Sequence, residues 1–350
     1  MQHRRIKRFH YLFVRIAVLW LLFSCWYTSG AQDSSKVHTA RDSGWVETFN
    51  NAIVVKLAAI NTAEVLVAEG DNFKNVLQPN PTEVFRGYFN YRVISFYVNY
   101  IPHFLPGNND DAEKGTTKGI GLGTVLNFRD WFTEVYYSHT KGYYLENTKD
   151  YRPAWQPGDP YFQVPDLTVN RFEGATGYNT NPRFSLRAIA SQTERQLKSA
   201  GAFIPQLSYS YYTIDNRTPG PYSTQSSSHI QGLLGAGYHH TFVVKKSLYA
   251  TGSFTPSFGY IFSRLTTRNS TEQVITSSQG PVYQWDGRLG IGYNGHRFFT
   301  GLYLTAKSAT YAQGLTTAVT QNGNIFFQLF AGVRLVAPKF IRKTYDTILH

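Results

Sequence analysis

The amino-acid sequence predicts an all-β protein, a transmembrane antiparallel β-barrel of about 12 strands with short periplasmic turns and long extracellular loops. Three observations predict it. Along 283–294, Tyr283, Trp285, Gly287, Leu289, Ile291 and Tyr293 alternate with Gln284, Asp286, Arg288, Gly290, Gly292 and Asn294. Successive side chains of a strand point to opposite faces, so this segment has one apolar face and one polar face. The pattern recurs along 248–262 and 324–335, although Phe326 and Phe330 break it by falling on the polar face. The second observation is that the connections between such segments are alternately very short and long, which is how membrane barrels are strung. The third is composition: 25 Phe, 25 Tyr and 29 Gly, with only 16% charged residues, against about 25% in soluble domains. Mean hydropathy is still negative at −0.31, as expected when half of each strand faces water. A soluble β-sandwich also alternates, but its strands run to about five or six residues, and these are long enough for the ~10 tilted residues that cross a bilayer.

The elements follow in order. Residues 1–31 read as a signal peptide: Arg4, Arg5, Lys7, Arg8 and Arg15 are basic, 16–23 is apolar, and Ser29, Gly30 and Ala31 fit a cleavage site. Cys25, the single cysteine, lies inside it; the bulky Phe23 departs from a lipid-attachment pattern. Removing this segment takes away five basic residues, lowers the formal charge from +12 to +7, and leaves no thiol for disulfide or thiolate chemistry. No basic stripe or recognition motif points to nucleic acid. A periplasmic lead-in follows at 32–52, with a helical turn expected near 45–49.

The barrel spans 53–336. Its strands are expected within 53–69 and at 82–91, 94–102, 117–128, 131–140, 183–192, 202–214, 229–242, 247–263, 282–294, 296–309 and 324–335. Short turns fall near 91–93, 129–130, 243–246 and 294–296, with a slightly longer one at 193–201. The connections 103–116, 141–182, 215–228, 264–281 and 310–323 are long. Alternation puts the short turns and both chain ends in the periplasm and makes the strand number even. The aromatic residues Phe128, Trp131, Tyr143, Tyr144, Tyr283, Trp285, Phe298 and Phe299 suit interfacial girdles. The connection 141–182 holds Trp155, Tyr161, Phe162, Phe172 and Tyr178; so many aromatic residues suit a folded cap or plug. A basic periplasmic tail closes the chain at 337–350.

Several motifs carry a family resemblance. They are Asn-Pro-Arg-Phe-Ser-Leu-Arg-Ala at 181–188 and Glu-Arg-Gln-Leu-Lys-Ser-Ala-Gly-Ala-Phe at 194–203. Upstream stand Pro79-Asn80, Lys-Gly-Thr-Thr-Lys at 114–118, and Lys-Gly-Tyr-Tyr-Leu at 141–145. With them the chain resembles domain of unknown function family 4421 over residues 45 to 340, with Ala202 standing where serine is expected. The resemblance implies a Bacteroidetes-type outer-membrane barrel and carries no activity, ligand or catalytic residue.

Candidate chemistry begins with inward charges. Alternation places Arg86, Glu134, Arg187, Asp286, Arg288 and Arg334 toward the lumen, where they would pair into an interior network or bias a channel toward anions. An enzyme is not expected. A lipid hydrolase needs a serine within hydrogen-bond reach of a histidine, yet Ser138 and His139 are adjacent and so diverge. His229 follows Ser226, Ser227 and Ser228 in an expected loop, and His239 and His240 sit near a turn. Asn108, Asn109, Asp110, Asp111 and Glu113 offer oxygen ligands, but not at calcium-loop spacing, and no cofactor or metal is expected. The expected role is therefore passive passage or binding of a small polar or anionic solute by a protein embedded in outer-membrane lipid. An envelope protein partner, making it a subunit of an assembly, is the alternative, and a lipid-modifying enzyme the remote one.

Overall fold

The computed structural model describes residues 44–348, except 62–64, 71–72, 106, 129, 219–223, 269–272, 312–318 and 321–323. The expected signal peptide at 1–31 and the first part of the lead-in lie outside the described residues. In chain order the strands are β1 (Val46–Thr48), β2 (Ala52–Asn61), β3 (Leu66–Gly70), β4 (Phe73–Gln78), β5 (Glu83–Tyr91), β6 (Ile94–Tyr100) and β7 (Lys118–Asn127). Next come β8 (Trp131–Leu145), β9 (Phe162–Tyr178), β10 (Glu194–Gln196), β11 (Ala200–Asn216) and β12 (Thr224–Val244). The series ends with β13 (Leu248–Arg268), β14 (Gln273–Asn294), β15 (Phe298–Tyr311), β16 (Val319–Thr320) and β17 (Asn324–Val336). Twelve of them, β2, β5–β9, β11–β15 and β17, form an up-and-down antiparallel barrel, which β17 closes by pairing with β2 from Phe327↔Asn61 to Val336↔Ala52.

The outer face is apolar because alternate residues on each strand are. Leu57, Phe96, Phe203, Leu234, Phe258, Leu289, Ile291, Leu329 and Phe298 are all exposed, Leu234 by 70%. In water such a surface would be unstable; in lipid it is the solvated face. Girdle aromatic pairs stand on it at the short-turn end: Trp131 with Tyr178, ring centres 5.1 Å apart, and Phe203 with Tyr238 at 5.6 Å. Tyr143, Tyr144 and Phe299, expected in the girdles, are instead buried: Tyr143 and Phe299 pack inside the ends of the barrel, and Tyr144 is covered by Tyr161 of the long loop, ring centres 4.9 Å apart. Strands β12, β13 and β14 run to 21, 21 and 22 residues, about twice what a bilayer crossing needs, so they rise past the membrane at the long-loop end.

Three expectations need correction. Residues 183–192 are not a strand; they hold a short helix at Leu186–Ala190. The sixth barrel strand is β9, inside the connection expected to form a cap. It escapes the alternation test because its far half inverts the pattern: Leu167 and Val169 are buried inside, while Asp166 outside pairs with Lys141 at 2.8 Å. That half lies beyond the lipid, where an outward charge is solvated. One false strand and one missed strand cancel, so the number twelve stands. The helical turn expected near 45–49 is the strand β1, paired with β10. Helices α1 (Asp111–Lys114) and α2 (Thr148–Tyr151) sit in long loops. The basic tail holds α4 (Lys339–Ile348), whose spacing groups Phe340, Ile341 and Tyr345 away from Lys339 and Lys343.

Inside the barrel, large rings lie over cross-strand glycines. Tyr97 faces Gly123, Phe132 faces Gly177, Phe299 faces Gly332, Tyr303 faces Gly290 and Phe330 faces Gly301. A Cβ on any of these glycines would fall 2.1–2.7 Å from the ring opposite, far inside van der Waals contact. Glycine and aromatic abundance are thus two halves of one device, which lets a large ring lie flat on the sheet. Gly290→Val is therefore expected to lower the thermal unfolding midpoint in detergent by displacing Tyr303, at about 1–3 kcal/mol. Gly252→Val, whose Cβ would meet the Leu289 side chain at 3.5 Å, should leave the midpoint nearly unchanged.

Candidate functional site: a chamber between plug and cap

The connection from β9 to β11 does not turn tightly. It folds into the short-turn mouth as a plug around helix α3 (Leu186–Ala190). Ser185 caps this helix by accepting the Ala188 N–H at 3.0 Å, and it donates its hydroxyl to the buried Glu194 carboxylate. Glu194 also pairs with Arg187 at 3.0 Å, and Arg187 in turn donates to the Arg92 carbonyl in the β5–β6 turn at 2.7 Å. Gln196 accepts the Ser185 N–H and donates to the carbonyls of Arg183 and Lys198.

The plug is tied to the wall through the carbonyls that end α3, which have no partner within the helix. Asn294 Nδ2 donates to the Ala188 carbonyl at 3.3 Å, Tyr303 Oη to that of Ile189 at 3.0 Å, and Lys56 Nζ to that of Ala190 at 2.6 Å. Arg334 completes the seal with bonds to the carbonyls of Gln192 (3.0 and 2.7 Å) and Gly295 (2.6 Å), its guanidinium 3.9 Å from the Phe49 ring centre. Phe184 and Ile189 pack with Val54, Ala58, Phe299, Tyr303 and Phe330. This apolar packing explains Phe330: the face that meets water elsewhere meets the plug here.

The opposite mouth is partly roofed by the β3–β4 hairpin. Beyond Lys141, β8 outruns β7, and β4 takes the vacated edge with Leu77↔Leu145 and Gln78↔Tyr144. Leu66 packs inside with Tyr143, Leu167, Val169 and Ile214. The switch occurs at a bulge where Gly142 has φ +92°, with the Thr116 carbonyl oxygen 2.2 Å from where a Cβ would stand, a place for glycine alone.

Between plug and cap lies a chamber of about 590 Å³. Leu186, Ile189 and Ala190 form part of its floor and Leu66 reaches it from the cap side. Its walls carry Lys56, Arg86, Arg171, Arg288 and Lys307 together with Glu134, Glu173 and Asp286. Lys307 pairs with Asp286 at 3.4 Å and Arg171 with Glu173 at 3.2 Å. Tyr97 donates to Glu134 at 3.0 Å. Arg86 donates to Asn99 at 2.6 Å and lies 4.6 Å from the Tyr97 ring centre.

The family model described as Domain of unknown function (DUF4421) matches residues 40–335. The chain belongs to this family. A search of curated proteins gives no sequence match. Among solved structures, the outer membrane protease OmpT from Escherichia coli aligns at 8% identity and TM-score 0.41, covering 83% of this chain and 98% of that one. The copper transporter OprC aligns at 12% identity and TM-score 0.33 over 81% and 43%. OmpT of Vibrio cholerae, in its trimer form, aligns at 10% and 0.28 over 81% and 100%. These low similarities transfer no activity.

The motifs that carry the DUF4421 resemblance sort to the two ends of the barrel. Those at 181–188 and 194–203 build the plug and the start of β11. The other three meet at the long-loop rim. There the Asn80 N–H donates to Thr117 Oγ1 at 2.9 Å, Asn80 Nδ2 donates to Asp111 at 2.8 Å and to the Gly115 carbonyl at 3.1 Å, and Thr117 donates to the Gly142 carbonyl at 2.7 Å. Asn108 and Asp110, considered as calcium ligands, serve the same loop: Asn108 holds the backbone of Thr82, Glu83 and Pro102, and Asp110 pairs with Lys114.

Of the residues expected to face the lumen, Arg86, Glu134, Asp286 and Arg288 line the chamber. Arg334 points inward but binds the plug, and Arg187 lies in the plug itself, since its segment is helix and turn rather than strand. Lys56, Arg171, Glu173 and Lys307 were not among the expected residues. Alternation along β2 (exposed Val55 and Leu57 around buried Lys56) is the signal that finds Lys56. His229 also needs correction. It lies in β12, buried, with Nε2 2.9 Å from Ser227 Oγ and Nδ1 2.8 Å from Ser263 Oγ, and it stacks on Tyr212. Ser227 shares its face because the two residues are two apart on one strand.

Glu194→Gln removes the carboxylate from buried Arg187 and is expected to destabilise the plug by about 3–5 kcal/mol. Hydrogen exchange should speed up across 183–199 while β12–β14 stay protected.

Proposed function

We propose that this protein sits in the outer membrane, exported by the signal at 1–31, with its short turns and both chain ends in the periplasm. Its lumen binds a small polar solute arriving from the long-loop end and passes it inward only when the segment 179–199 moves aside. The role is binding and gated passage rather than catalysis. The observation that carries this reading is the charged chamber of about 590 Å³, a volume in the range of small-molecule sites, lying directly on the plug. A purely structural interior would be filled, as the plug region is.

Planar-bilayer recording tests the gate. The unmodified protein should show no steady conductance, and Arg334→Gln, which loosens the ties to Gln192 and Gly295, should show intermittent openings. A steady open pore in the unmodified protein would sink the gated reading.

A further inference from the structure

The chamber's charges are unevenly paired. Asp286, Glu173 and Glu134 all attract Lys307, and Glu173 also holds Arg171. Lys56, Arg86 and Arg288 form no ion pair among the described residues. Their hydrogen bonds go to neutral groups: the Ala190 carbonyl, the Asn99 side-chain oxygen and the Thr305 hydroxyl. They lie near enough for Arg86 and Arg288 both to repel Lys56. Aromatic faces surround them: Tyr88 is 3.9 Å from Lys56, Tyr97 is 4.6 Å from Arg86, and Tyr303 is 5.8 Å from Arg288, each to the ring centre. A further polar atom of a chamber-lining residue, His239 Nε2, has no hydrogen-bond partner among the described residues.

Like charges gathered without a counter-ion cost free energy that the fold avoids elsewhere, as the buried Arg187–Glu194 pair illustrates. Cross-ring contacts offset only part of that cost. A bound anion would offset the rest, and guanidinium and ammonium groups are those that recognise oxyanions. We infer that Lys56, Arg86 and Arg288 form a binding site for a small multivalent oxyanion, a solute bearing phosphate or several carboxylates, seated against the plug at Ala190. This rests on reading the lumen as a solute chamber.

The test is calorimetric titration of the purified full-length protein in non-ionic detergent with inorganic phosphate, citrate, sodium chloride and maltose. Phosphate or citrate should bind saturably and more weakly as salt rises, whereas chloride and maltose should not saturate; the tighter of the two oxyanions identifies the headgroup. Arg288→Gln should weaken that binding by about tenfold or more, some 1.4 kcal/mol or more. It should also leave the thermal midpoint of the empty protein unchanged or raised, because a repulsion is removed. Arg86→Gln supplies the same test should the first variant fail to fold. Unchanged affinity in the variants, or a lowered midpoint without any oxyanion binding to the parent, would overturn the site in favour of a structural network. Maltose binding without oxyanion binding would overturn the oxyanion but keep the chamber, and no binding of any probe would overturn both.

Discussion

Closure of the hydrogen-bond ladder between β17 and β2 is the constraint on which everything else depends. A strand edge in lipid would leave backbone N–H and C=O groups without partners, at several kcal/mol each. Closing the sheet removes both edges and in exchange creates an interior that must be filled with side chains, chain or water. Twelve strands enclose more than side chains alone can fill. The chain answers differently at three heights: a folded plug at the short-turn end, a charged chamber in the middle, and a hairpin at the long-loop end. The rings lying on glycines line the wall between them and make room for the plug.

Besides the ion pairs Lys307–Asp286 and Arg171–Glu173, interior charges fall into two physical kinds. Arg187, Glu194 and Arg334 are saturated by hydrogen bonds and hold backbone in place, so their value is conformational. Lys56, Arg86 and Arg288 are held in position by neutral partners and rings but are not neutralised. Lys56 belongs to both kinds, since its ammonium caps the last carbonyl of the plug helix while facing the chamber. A group so placed couples whatever occupies the chamber to the segment that blocks the way out.

The DUF4421 motifs make the same division from the side of the sequence. Apart from Phe203, which stands on the outer face at the start of β11, their residues at 181–188 and 194–203 make the turn-rich, buried polar network that shuts one mouth. The rim motifs, through Asn80, Thr117 and Gly142, fix where β8 exchanges β7 for β4. What unites these motifs is the closing of the two ends, while the lipid-facing strands follow from alternation alone.

Alternation was legible because lipid outside and water inside impose a period of two on each strand, and from it come the barrel class, eleven of the strands and the lumen positions of Arg86, Glu134, Asp286 and Arg288. It misleads wherever those two environments are replaced. In the far half of β9, water is outside and the cap inside, so Leu167 and Val169 point inward; at Phe330 the plug replaces water. In 183–192 a run with strand-like spacing became helix because Ser185 caps it and Gln192, Glu194 and Arg187 find buried partners that exist only after folding. Ser227 and His229 met Ser263 for the same reason. Sequence by itself determined which face of eleven strands meets lipid, since that depends on neighbouring residues alone. Only the tertiary structure decided what fills the lumen and which interior charges have neutral rather than ionic partners, because both depend on contacts between segments far apart in the chain.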